Sequence, residues 1–598
     1  MADTCDVVIV GAGPVGATAA LLLAAHGVEC VVVEPRNRPQ SHPAAHVLST
    51  RSMEIWREIG LDRDLRGLSA RAYELRCIPY CTTLAGPELG RVPLGELPET
   101  QLEVIDSISP TRNAHLPQNR LETLLWQRLR DSAHIDLRSG WSYVAHTDRP
   151  DGVEVTVGDV DGGSRRTVLG RYLVAADGAA SAVRRALGIA MQGPTLQNMI
   201  SVHFSADLEK FRRGRRGPVM WTHSRKGVGA LIVHRPPQDL VFQIPYFPPA
   251  ESLEDFGVAV CRDHIHDAIG DPTVGIDIHS IKSWAMNAQV AASYRVGRAF
   301  LVGDAAHRFP PTGGLGLNTG VADAHNLAWK IAWVSTDRAR EDLLDSYECE
   351  RRPVGRSATD HSVANVDGLL DVVAALGLPR VVGRLLPRAV AALPEWAPRR
   401  TVRTLVRSLS AQGFRSFDVA RSPGLAGQYL RRRAAVAIGR QGRHYRSWGS
   451  DLGVIYSSGA LVPDGMRTAP ADPEFYTPHV RAGGRLPHAW VKDRGRRVST
   501  LDLVERNRLT MLVPDDSRAR WAHAAAALPI SVVGVDESAR TVFHTGSVAS
   551  AADGLIVRPD GHIAAVLPPG GDGATLMRRA LEAVDASSGA EAPIGEPR

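Results

Sequence analysis

The chain has 598 residues, of which 44% are hydrophobic and 22% charged, a length and balance that exclude both a small stapled module and a disordered chain and leave room for about three or four folding units. Its formal net charge of +6 comes from arginines spread along the whole sequence, which speaks against the concentrated basic face of a nucleic-acid binder. The six cysteines show neither zinc-knuckle nor C-x-x-C spacing, so no metal is expected and buried free thiols are.

The first 35 residues carry the most information. Asp6 to Val10 is a β-branched run suited to a buried strand, and Ala17 to Ala25 is a run of strong helix formers. Between them lies Gly11-Ala12-Gly13-Pro14-Val15-Gly16. The first glycine permits a tight turn, the second lets backbone amides approach a pyrophosphate, and the third lets helix and strand pack closely. A second strand, Cys30 to Val33, ends at Glu34, where a carboxylate can accept from both hydroxyls of an adenosine ribose. Strand, helix, strand and acid in register predict a Rossmann-like dinucleotide site, serving NAD or FAD alike. The glycines interrupt the apolar stretch, and no window elsewhere reaches the roughly 18 apolar residues of a membrane span. A cytoplasmic protein without a membrane partner is expected.

Further along, Arg171 to Arg185 reads as a strand, an Asp177-Gly178 turn and a helix start. From about 190 to 285 the pattern changes to alternating strands, Ile200 to Phe204, Gly229 to Val233 and Leu240 to Ile244. Alternation puts Val241 and Gln243 on one face and Phe242 and Ile244 on the other, without saying which face meets a ligand. The basic run Arg212-Arg213-Gly214-Arg215-Arg216 reads as a solvated loop. A strand from Ala299 to Val302 then ends at Gly303-Asp304, where an open α/β sheet places its ligand. Gly313, Gly314 and Gly316 leave backbone bare for a flat ring, and a long helix is predicted to begin at Asn318 and run through Lys330. Alanine, leucine, valine and arginine at helical spacing fill 365–435, as in Val372 to Leu376 and Val402 to Leu409. Past 445 come a strand at Leu509 to Val513, a strand and turn from Gly554 to His562, and the tail GAEAPIGEPR, which reads as disordered.

GAGPVG, the ADG segment and GDAAHRFPPTGGLGLNTG, in this order, make the chain resemble the group A flavoprotein aromatic monooxygenases, which share the para-hydroxybenzoate hydroxylase fold. Within them it is similar to the phenol and chlorophenol hydroxylases and the polyketide hydroxylases. The resemblance implies an α/β fold: a Rossmann-like FAD-binding domain (1–190 and 286–400) with an inserted antiparallel substrate sheet (191–285), a helical linker (401–444) and a thioredoxin-like C-terminal domain (445–598). That last domain has no cysteine after Cys349, hence no disulfide chemistry and a structural role, or one at a homo-oligomer interface. By resemblance, Gly11, Gly13 and Gly16 hold the FAD pyrophosphate, Glu34 the ribose, and Arg36 the adenine. Asp177 and Gly178 match the second dinucleotide fingerprint, Gly303 and Asp304 the ribityl contact, and Gly314, Gly316, Leu317 and Asn318 the flavin ring. Gln118 matches a flavin-side glutamine at a helix start. Family members often carry an arginine after the proline where this chain reads Pro43-Ala44, and Arg51 is a candidate to cover the lost charge.

The implied reaction is hydroxylation of an aromatic or polyketide-like substrate with NAD(P)H and O2 through a flavin C4a-hydroperoxide. Baeyer–Villiger insertion or epoxidation is the alternative, and a non-catalytic flavin-binding scaffold the alternative of another class. A halogenase is disfavoured, because no lysine precedes Lys210 and no W-x-W-x-I-P segment exists. Substrate candidates are His203, Trp221, His234, Gln243, Tyr246 and Pro311. The arginine and tyrosine that phenol hydroxylases place on the strand equivalent to Leu240 to Ile244 are absent, which argues for a fused-ring substrate over simple phenol.

Overall fold

A computed structural model describes residues 3–94, 106–392, 401–404, 408, 413–465, 472–536, 542–543 and 552–584. The C-terminal tail and part of the 402–409 run lie outside the described residues. β-Branched residues buried on both faces build the first sheet, in which Asp3–Val10 pairs in parallel with Cys30–Glu34 on one side and Arg165–Ala175 on the other. Ile135–Ser139 and Ala299–Leu301 extend it outward, also in parallel. The first strand therefore sits at the switch point of an open α/β sheet, with its carboxyl edge facing the glycine loop. Helices Pro14–Ala25 and Leu315–Ser335 pack side by side over the sheet.

A second, seven-stranded sheet runs in the order Asp277–Asn287, Thr195–Ser205, Asp239–Tyr246, Gly227–Arg235, Val219–Ser224, Cys77–Cys81, Glu88–Pro93. The substrate sheet thus recruits two strands from within 1–190, which chain order alone does not show. One face is a core of Ile200, Val202, Phe204, Leu240, Phe242, Ile244 and Tyr246 against helix Val258–Ile269. The other face roofs a large cleft.

The run from Arg212 to Arg216 is no solvated loop. Arg212, 1% exposed, pairs with Glu74, Arg216 pairs with Glu74 and Glu209, and Arg215 donates to the Leu84 carbonyl at 3.1 Å. The cluster fastens the Cys77–Cys81 strand because acidic partners distant in sequence converge on it. Cys30, Cys81 and Cys261 are buried free thiols as expected, Cys77 is buried beside the Arg216 carbonyl, and Cys349 is exposed.

The C-terminal unit joins Leu509–Pro514 to Ile530–Val535 in parallel through helix Arg518–Ala524, then adds the antiparallel strands Gly554–Val557 and Ile563–Leu567 and helix Gly573–Ala583, the thioredoxin-like arrangement. Charged groups carry it onto the first domain. Arg485 binds Glu54, Arg57 binds Asp502, and Arg558 binds Glu350 at 2.7 Å. No described helix is long and apolar enough to cross a membrane.

Candidate active site

A single cleft of about 2210 Å³ runs between the two sheets, lined by the glycine loop at Gly13, the segment from Gln40 to Val47, Gln118, Gly178, Asp304, the loop from Pro310 to Asn318 and the roof strands. At its base, Gly11 (φ +103°) turns so tightly that a Cβ would strike the Ala176 carbonyl. A Cβ on Gly16 would strike the Gly11 carbonyl, while one on Gly13 would meet no atom within 4 Å. Gly11 and Gly16 are therefore demanded by packing, and Gly13 opens onto the cleft. Glu34, buried at the end of its strand, accepts the Ala12 amide at 2.8 Å and pairs with Arg36 Nε at 2.7 Å. Arg36 also reaches Glu122 at 2.8 Å and lies over Trp126.

Asp177 stands behind the cleft wall. Its Oδ2 accepts from the Ala182 and Val183 amides at 2.7 and 3.1 Å, capping the short helix Ala182–Ala186, and Gly178 is the member of the pair that lines the cleft. Gly303 likewise packs beneath, against Val15, and presents Asp304 to the cleft. The protein walls around Asp304 raise its carboxyl above the ordinary carboxylate value, against the pull of His307 and Arg308. Below it, Asp323 is wholly buried and accepts from His307 Nε2 at 2.7 Å, Arg351 Nε at 2.7 Å and the Gly303 amide at 3.2 Å. The Arg351 guanidinium, with the His307 hydrogen bond beside it, holds Asp323 below its usual value despite its burial.

The long helix begins one turn earlier than its sequence suggests, at Leu315, because Gly314 takes a left-handed φ of +65° as its N-cap. Asn318 lies inside the first turn. Its Nδ2 donates to the carbonyls of Val47 at 3.0 Å and Gly314 at 2.6 Å, and its Oδ1 accepts from the Ser49 amide at 2.9 Å and Ser52 Oγ at 2.8 Å. This side chain ties the Gly313–Asn318 loop to the 47–49 segment and leaves the helix N-terminus at the cleft. Gln118 opens helix Gln118–Asp131 and holds the Ala45 amide at 3.4 Å and Glu122 at 2.9 Å.

Arg51 is not brought to the cleft. Its guanidinium binds Glu54 at 3.1 Å and the Asp560 carbonyl at 2.7 Å, so it serves the domain junction and does not replace an arginine at Ala44. Of the substrate candidates, Trp221, His234, Gln243 and Pro311 line the cleft, and His203 and Tyr246 do not. His203 is held by Asp239 at 3.2 Å between His42 and His279, and Tyr246 packs on Phe256 in the opposite core. The face left open by alternation is settled: Val241, Gln243 and Pro245 see the cleft. Sequence reasoning missed His46, His115, Arg308, Tyr80 and Tyr445, all of which line it. Arg308 stood within the quoted GDAAHR motif; the two tyrosines gave no local signal.

An open α/β switch point, a glycine loop with room only on the ligand side and a helix N-terminus over a bare loop together form a cradle that fits FAD. The comparisons agree. Residues 4–362 match the family described as FAD binding domain, and 479–586 match the C-terminal domain of aromatic-ring hydroxylases. A 2,4-dichlorophenol 6-monooxygenase of Cupriavidus pinatubonensis is 31% identical over 96% of both chains. A tetracenomycin A2 monooxygenase-dioxygenase of Streptomyces glaucescens is 32% identical over 97% of both. The crystal structure of the flavin-dependent monooxygenase PieE in complex with FAD and substrate superimposes with a TM-score of 0.82 at 30% identity, covering 97% of this chain and 99% of that one. A cleft built for a dinucleotide, roofed by a substrate sheet and matched end to end by such relatives, places this chain in the family of FAD-dependent aromatic-ring monooxygenases.

Proposed function

We propose that this monooxygenase uses NAD(P)H and O2 to hydroxylate an extended phenolic substrate of the fused-ring, polyketide kind. The observation that carries this reading is the cleft itself. Its volume of about 2210 Å³ takes in both the space for FAD, at Gly13, Gly178 and Asp304, and a further chamber, and past the Gly313–Asn318 loop the walls of that chamber are mostly apolar or aromatic. Met199, Val228, Ala230, Ile232, Val241 and Pro245 form the roof, and Tyr80, Trp221, Phe414 and Tyr445 close one end. Such walls exclude water from the reacting atoms and stack on flat rings.

FAD, when bound, supplies hydride acceptance and oxygen activation. Gly13, in the turn that Gly11 and Gly16 allow, would admit its pyrophosphate, Glu34 with Arg36 its adenosine, and Asp304 its ribityl hydroxyls. The amides from Leu315 to Asn318 would stabilise negative charge on the ring. Replacing Asp304 by alanine removes a charge-assisted hydrogen bond of about 1.5–3 kcal/mol, so FAD should bind about 10- to 150-fold more weakly. Titration of the apo-protein with FAD, followed by flavin fluorescence, measures this, and an unchanged Kd would take Asp304 out of the site.

The reaction itself is tested by incubating holoenzyme, NAD(P)H and 18O2 with fused-ring phenols. The expected product carries one labelled ring hydroxyl on an intact skeleton. Label in a lactone or an epoxide-derived diol would assign the other oxygen chemistries, and flavin that neither nicotinamide reduces would leave only a scaffold.

A further inference from the structure

Strand Gly227–Arg235 presents Val228, Ala230, Ile232 and His234 to the cleft. Its polar neighbours on this roof, Gln243, Ser201 and Trp221, are engaged within the protein. Gln243 donates to Ser201 Oγ at 3.1 Å and accepts from Trp284 Nε1 at 3.0 Å, Ser201 meets His42 at 3.0 Å, and Trp221 donates to the Tyr445 hydroxyl at 2.8 Å. His234 differs. It is 8% exposed, and neither of its ring nitrogens has a hydrogen-bond partner among the described residues. Buried polar groups left unmet in this way are rare and mark a place where a ligand supplies the partner.

Its surroundings indicate which partner. His46 meets His234 edge to face at 5.1 Å, and His46 lies over His115 at 4.7 Å. All three line the cleft, and Val47, next to His46, is tied to Asn318 of the Gly313–Asn318 loop. Besides burial, the titratable groups that act on His234 are the neighbouring imidazoles of His46, His115, His203 and His42. Burial holds His234 and His115 well below the ordinary imidazole value and His46 at about 4. At neutral pH these imidazoles are uncharged, each offering one lone pair and one N–H.

Building on the function proposed above, we infer that His234 is the residue that binds the substrate's phenolic hydroxyl, accepting its O–H at a ring nitrogen. The assignment makes it a specificity-determining residue that sets which ring carbon faces the Gly313–Asn318 loop. An uncharged acceptor in an apolar roof suits a neutral phenol.

The test uses FAD-loaded enzyme without nicotinamide and two probes, 2-hydroxyanthraquinone, whose hydroxyl has no carbonyl within reach, and its methyl ether, with binding followed by visible difference spectra. The wild type should prefer the hydroxylated probe, His234→Leu should lose about tenfold or more for that probe alone, and His234→Gln, which keeps an acceptor, should restore most of it. A merely structural role would weaken both probes equally in His234→Leu, and that result, or no change for either, overturns the assignment. A wild type that reduces FAD with NAD(P)H yet binds neither probe overturns the fused-ring reading and this inference with it.

Discussion

Glu350→Gln is expected to destabilise the protein by about 3–5 kcal/mol, the range for breaking a buried ion pair by removing one partner. Glu350 lies on helix Ser346–Ala375 at 1% exposure and receives Arg558 at 2.7 and 3.0 Å, Lys330 at 2.8 Å, Asn326 at 2.6 Å and the Ala460 amide at 2.8 Å. Arg558 and Lys330 are both 0% exposed. The neutral amide would leave two buried cations sharing Asp560. Those cations hold Glu350 at about 2, against its burial. A carboxylate depressed in the folded state contributes stability that is present above its unfolded value, near 4.5, and lost as pH falls through about 2. The gap between wild type and variant should therefore be widest at neutral pH and close on acidification. Urea denaturation followed by far-UV circular dichroism measures it, and equal midpoints at pH 7 would show that the C-terminal domain is not held by this network.

Gly13→Ala and Gly16→Ala should fail in opposite ways. The added methyl on Gly13 meets no protein atom within 4 Å, so the apo-protein should keep its stability to within about 0.5 kcal/mol. The same methyl occupies space the pyrophosphate needs, and an overpacking cost of about 1–3 kcal/mol translates to roughly 5- to 150-fold weaker FAD binding. On Gly16 the methyl collides with the Gly11 carbonyl and comes within 2.9 Å of the Ala176 Cβ. That variant should lose thermal stability even without FAD. Melting curves of both apo-proteins, paired with FAD titrations, separate the two effects. A Gly13→Ala protein that binds FAD like the wild type would move the cofactor away from this loop.

Both variants probe a motif visible in sequence, and the contrast between them is not visible there. The spacing of G-x-G-x-x-G says that three positions want glycine. Only the distance from each position to neighbouring backbone says which glycine serves the fold and which serves the ligand. Asn318 gives a similar lesson. The sequence places the helix start at Asn318, but the helix starts at Leu315 with Gly314, in the left-handed region, as its N-cap, and the Asn318 side chain joins three segments.

The substrate candidates separate along the same line. Strand alternation paired Val241 with Gln243 from residue order, because side-chain direction in a strand is a local property of period two. Which of the two faces meets the cleft depended on where helix Val258–Ile269 packs, a contact across the sheet that no local pattern encodes. His203 is a candidate from its place on a strand of the antiparallel sheet, and Arg51 from its match to a family arginine. Asp239, close in sequence to neither, engages the first, and the C-terminal domain engages the second.

What the sequence by itself determined is therefore what short-range physics decides: the order of strands and helices around the glycine loop, the acid at the end of the second strand, the bare loop before the long helix, and with them the α/β fold and the FAD-dependent family. The tertiary structure alone decided which residues share a cleft. His46, His115 and His234 lie far apart in the chain and meet only because the Gly227–Arg235 strand and the segment around Val47 converge over one loop. The same is true of Glu350, Lys330 and Arg558, whose charges are tolerable in the interior only together. Local propensity acts over a few residues, whereas burial and charge pairing act through space, and the latter two set the chemistry of this site.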